Sequence, residues 1–136
     1  MDKTIIRLVG AAIVAALALA ATSIGETPRI ALSIAIGLPS FVLMIISRSQ
    51  LGKSFSIMPA ASALVTTGLY SKVQHPMYVF LDLFLVSVIV ALGWSILLWA
   101  WAILVVVQTV QGRREEKVLA AAFGADYEAY RSRSWF

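Results

Sequence analysis

The apolar run from Met77 to Val110 sets the first limit on this chain. As one helix it would be about 51 Å long, well beyond a hydrocarbon layer of about 30 Å. Gly93-Trp94-Ser95 interrupts the run, which therefore divides into two helices over 77-92 and 95-110, a tight hairpin with Trp94 near one interface. A consequence follows for the flanking polar residues. His75, just before the run, and Arg113, just after it, return to the same side.

Two further apolar stretches precede this pair. Ile5 to Ile24 carries no charge after Arg7, and Ile30 to Ile46 contains Gly37 and Pro39, so spans over 5-24 and 30-46 are expected, the second with a kink near Pro39. Gly25-Glu26-Thr27-Pro28 reads as the turn between them. The first stretch also has a signal-peptide pattern, with basic Lys3 and Arg7 ahead of Ala18-Leu19-Ala20; a retained span is the expectation. With 60% hydrophobic and 13% charged residues, the 136-residue chain departs from soluble domains, in which about a quarter of residues are charged. The predicted fold is all-α and integral to the membrane, with four transmembrane helices in a single membrane domain over 1-136.

Two segments are too polar to span. In 47-76, Leu51, Phe55 and Met58 share the face of a short interfacial helix. In 111-136, Val118, Leu119, Ala122 and Phe123 form one face of a C-terminal helix, Gly124 is placed as its C-cap, and Tyr127 and Tyr130 lie in a further turn. With four spans, every lysine and arginine except Arg29 falls on one side. By the positive-inside rule that side is cytoplasmic, together with both termini, His75 and the tail. The net charge of +4 is thus accounted for by topology, and nucleic acid is not an expected partner. Lacking cysteine and having one histidine, the chain offers no thiol chemistry and no pattern for a structural metal.

Chemistry is expected around His75. Pro76 excludes the helical region for His75 and suits the first position of a helix, so His75 is the predicted N-cap, where free N–H groups favour an anion. Taken alone, His75 reads as an interfacial cap, Tyr78 as part of an aromatic belt, and Glu115 and Glu116 as solvated charges beside Arg113, Arg114 and Lys117. Asp82 differs, because an ionisable group within a span is costly and is usually paired or functional.

Several motifs in order add to this reading. Leu51-Gly52-Lys53-Ser54-Phe55-Ser56, Leu64-Val65-Thr66-Thr67-Gly68-Leu69-Tyr70, His75-Pro76-Met77-Tyr78, Glu115-Glu116-Lys117-Val118-Leu119 and Phe123-Gly124-Ala125-Asp126-Tyr127-Glu128-Ala129-Tyr130 resemble the isoprenylcysteine carboxyl methyltransferase and phospholipid methyltransferase group of membrane enzymes. The resemblance covers roughly Arg48 to Arg131. It implies S-adenosyl-L-methionine as cofactor, bound by His75, Tyr78, Glu115 and Glu116, and a lipophilic substrate entering from the bilayer. Under that reading His75, Arg113 and Arg114 are the catalytic candidates, the cations holding carboxylate groups, with carboxyl O-methyl transfer favoured over phospholipid N-methyl transfer. The group usually carries an arginine where this chain has Gln74, and often a glycine where it has Val79-Phe80. Two other classes remain open on the residues: a four-helix proton-coupled transporter using Asp82, and a non-catalytic interaction module.

Overall fold

The computed structural model describes residues 2–51 and 68–135. Among these the chain is helical throughout, without strands. Helices α1 (Lys3–Ala21) and α2 (Glu26–Leu51) are followed by a short 3-10 turn (Gly68–Ser71), then α3 (Pro76–Leu92), α4 (Leu97–Phe123) and α5 (Ala125–Arg133). The expected interfacial residues Phe55 and Met58, and the motif residues of 52–67, lie outside the described residues.

Local chemistry explains most boundaries. Asp2 accepts the Thr4 N–H at 3.0 Å and caps α1. Pro76 opens α3 at its first position, with His75 as N-cap at φ −129°. Gly93 ends α3 at φ 71°, a left-handed conformation that glycine adopts without a Cβ penalty. Gly124 separates α4 from α5 at φ 51°.

Two boundaries differ from expectation. Helix α2 begins at Glu26, so Thr27 and Pro28 form its first turn rather than a loop; proline in a first turn sacrifices no intrahelical bond. Helix α4 continues unbroken past Val110 to Phe123, so the stretch taken as a separate tail helix is an extension of the apolar one. Polarity changes along α4, but nothing in Gln111-Gly112-Arg113 stops a helix.

The largest helix contact is between α2 and α3. Ser33, Gly37, Ser40 and Ser47 form a buried stripe on α2, and each serine hydroxyl donates to the carbonyl four residues earlier, at 2.7–2.8 Å. The stripe is small and internally satisfied, so the backbones approach closely. At Gly37 an added Cβ would stand 2.5 Å from Ser87 Oγ. Ala18 of α1 meets Val86, Ile89 and Val90 of α3 and Trp101 of α4 in the main buried cluster. Outside these seams the apolar side chains face outward: Leu17 is 66% exposed and Leu38 61%. Helices Lys3–Ala21 and Glu26–Gln50 are long and apolar enough to cross a membrane.

Candidate functional site

The His75 end of the bundle gathers side chains from four elements. Helix periodicity puts Gln108, Gly112, Glu115 and Glu116 on one face of α4, opposite the start of α3. Gly112 makes the approach possible: a Cβ there would be 3.3 Å from His75 Nε2. The imidazole then lies between two carboxylates, Nδ1 3.4 Å from Glu115 Oε2 and Nε2 3.2 Å from Glu116 Oε1. Tyr78, in the first turn of α3, stacks on the His75 ring at 5.6 Å between centroids and donates to Glu115 Oε1 at 2.8 Å.

Arg7 arrives from α1. Its Nη1 donates to Glu116 Oε1 at 2.9 Å and its Nη2 to Gln74 Oε1 at 3.1 Å. Gln74 Nε2 in turn donates to Ser134 Oγ at 3.0 Å, and Lys3 Nζ to the same oxygen at 2.9 Å. Lys3 also donates to the Arg131 and Ser134 carbonyls. The C-terminal end is thereby tied to α1 and to the residue before His75. Sequence reasoning missed Arg7, Gly112 and Ser134. The available signal was topology, since charge placement put Arg7 on the same side as Glu116.

The electrostatics follow from these contacts. Burial works against a charged His75, but its hydrogen bonds to Glu115 and Glu116 outweigh it and raise the ring's pKa above the ordinary value. Burial also favours protonated Glu116; bonding to His75 and the charge and hydrogen bond of Arg7 overcome it, pushing the carboxyl down to about 2. Glu115 is likewise lowered, burial being outweighed by hydrogen bonds from His75 and Tyr78. The cluster therefore favours ionised carboxylates and a protonated imidazole.

Beneath it a cavity of about 300 Å³ runs between α1, α3 and α4. Arg7, His75 and Tyr78 line its polar end, and Val14, Leu83 and Val105 are among its apolar walls. Asp82 also faces it, accepting from Trp101 Nε1 at 3.3 Å. Gln108 lines the same wall, its side chain directed at Asp82. His75, Tyr78, Glu115 and Glu116 are thus brought together as expected. Arg113 and Arg114 are not: both are exposed on other faces of α4, and Arg113 turns toward Thr4 Oγ1 at 3.2 Å and Asp2. Among the described residues no His, Asp and Glu cluster suits a metal.

The sequence profile of the phospholipid methyltransferase family matches residues 27–126. The chain belongs to the phospholipid methyltransferase family. Its membership, with the two long apolar helices, makes this a membrane protein of methyltransferase lineage. The matched stretch includes His75, Tyr78, Glu115 and Glu116, and leaves α1 with Arg7 outside. No curated protein and no solved structure matches the chain comparably.

Proposed function

We propose that this chain is an S-adenosylmethionine-dependent methyltransferase acting on a lipophilic acceptor drawn from the bilayer, with carboxyl O-methylation as its reaction. The observation that carries the proposal is the meeting of His75, Tyr78, Glu115 and Glu116 next to a mostly apolar cavity, which His75 and Tyr78 line and the two glutamates adjoin through them. In this reading α1 to α4 each cross the membrane, and both termini and the cluster lie on the cytoplasmic side, where the positive charges gather.

The donor set fits the cofactor. Two carboxylates held ionised suit an ammonium group and ribose hydroxyls, so Glu115 and Glu116 are assigned to hold it, with Tyr78 and His75 fixing their orientation. The bound cofactor supplies a methyl group on a sulfonium. The chain supplies a dry wall and an oriented acceptor. When a carboxylate attacks a sulfonium, opposite charges disperse in the transition state, and excluding water lowers the cost of leaving the solvated reactants.

Proton bookkeeping favours a carboxylate acceptor. An ammonium acceptor must first lose a proton, whereas His75 is raised, holding a proton more tightly than a free imidazole, and both glutamates are lowered, which makes them weaker bases. A carboxylate needs no base. N-methylation of a phospholipid amine is the second reading, favoured by Asp82 on the cavity wall. Calorimetric titration of the detergent-purified protein with S-adenosylhomocysteine tests the cofactor assignment: micromolar binding lost in Glu116→Ala is expected, and no binding by folded wild-type protein would overturn it. Labelled methyl transfer to a prenylated cysteine acid against phosphatidylethanolamine vesicles then decides between the acceptors.

A further inference from the structure

Among the described residues that line the cavity, Arg7 is the only lysine or arginine. The neighbouring cations are directed elsewhere, Arg113 toward Asp2 and Thr4 and Lys3 toward Ser134 and two carbonyls. The Arg7 side chain is 17% exposed, so its charge acts under little solvent screening. Its contacts are divided: one nitrogen meets Glu116 and another meets the neutral amide of Gln74. A guanidinium prefers to grip one carboxylate with two parallel bonds. Here Glu116 Oε1 is shared with His75, and Gln74 is a weaker acceptor than a carboxylate.

We infer that Arg7 is a carboxylate-binding residue of the site, which exchanges its bonds to Gln74 and Glu116 for a bidentate grip on a carboxylate entering the polar end of the cavity. The exchange leaves Glu116 available to a cation. An α-amino acid moiety carries both groups and satisfies both partners at once, whereas a lipophilic acid satisfies Arg7 alone. Helix α1, outside the family match, thereby contributes to recognition as well as to membrane packing. The Lys3–Ser134–Gln74 chain supports this by fixing the α1 terminus and Gln74 against the same C-terminal residue.

This inference rests on the methyltransferase reading, and three probes separate the two. S-adenosylhomocysteine carries an amino acid moiety, 5′-methylthioadenosine lacks it, and a prenylated cysteine acid with its amine acetylated carries a carboxylate without the ammonium or the nucleoside. Their affinities are measured by calorimetry for wild type, Arg7→Gln and Arg7→Lys in detergent. If the carboxylate is the cofactor's, Arg7→Gln weakens S-adenosylhomocysteine by about tenfold or more, leaves methylthioadenosine unchanged, and Arg7→Lys recovers part of the loss. If it is the acceptor's, the prenylated acid alone weakens. Equal losses for both nucleosides would show a structural prop for Glu116 and overturn the inference, as would no change for any probe. Wild-type protein that binds the prenylated acid through Arg7 but neither nucleoside would sink the cofactor reading and keep the inference. Binding of none of the three would remove both.

Discussion

Arg7 and Arg29 stand at opposite ends of the α3 helix, and they are held in opposite ways. Arg7 sits among hydrogen-bonding partners, with Glu116 and Gln74 within 3.1 Å. Arg29 lies over the glycine that ends α3: a Cβ on Gly93 would fall 2.9 Å from its Nη1, and its Nε is buried without a partner. One end is held by polar contacts that can change partners. The other is held by shape, where a glycine gives way to a bulky cation. An end of the first kind suits a charged ligand, because exchangeable bonds allow a charged group to enter without leaving a buried ion alone.

The most severe way to break this contrast is Glu116→Ala. It removes the acceptor shared by Arg7 and His75, two partly buried groups that keep Gln74 and Glu115 as partners, so the stability cost should fall below the about 3–5 kcal/mol of breaking a fully buried pair. Loss of S-adenosylhomocysteine affinity on the order of 100-fold or more is expected by calorimetry, and an unchanged affinity would remove Glu116 from the site. Gly93→Ala probes the opposite end. A non-glycine residue at φ 71° costs about 1–2 kcal/mol, with crowding against Arg29 added. Thermal unfolding in detergent should show that loss, while ligand affinity of the folded fraction stays put.

Gly112→Ala sharpens the comparison with a smaller change. Its Cβ, 3.3 Å from His75 Nε2, displaces the ring by a few tenths of an ångström, so affinity should fall several-fold with a stability cost of about 1 kcal/mol or less. A stability loss as large as that of Gly93→Ala would show that both ends are packed alike. The mildest test is pH. His75, raised in the folded state, contributes stability that is complete below its ordinary value of 6.5 and lost as pH rises through the higher folded value. Glu116 contributes stability present above 4.5 and lost as pH falls toward about 2. The stability gap between wild type and His75→Gln should therefore be largest between pH 4.5 and 6.5 and narrow in alkaline buffer. A gap constant to high pH would mean that the ring's charge does not matter to the cluster.

Much of the scaffold was legible residue by residue. Pro76 fixed the start of α3 and Gly93 its end, because the missing N–H of proline and the missing Cβ of glycine act locally. The approach of His75 to Glu115 and Glu116 was legible too, since an apolar run of fixed length returns the chain to the side it left. Arg113 and Arg114 lie outside the cluster for a related reason. Adjacency in sequence to Glu115 suggests adjacency in space, but at about 100° per residue Glu115 and Glu116 flank the Gly112 direction on α4, whereas Arg113 and Arg114 fall outside that arc. Arg7 escaped notice because its partner lies more than a hundred residues later, and no local rule connects them.

By itself the sequence determined long apolar helical segments and the residues, His75, Tyr78, Glu115 and Glu116, that meet at one end of the bundle. Those are consequences of hydropathy, helix length and backbone stereochemistry, which each segment carries alone. Only the tertiary structure decided which cation joins the glutamates, which glycine admits the imidazole, and that Asp82 faces the same cavity as His75. Such choices depend on helix rotation and on seams of small residues between helices. Both arise from packing against partners distant in the chain.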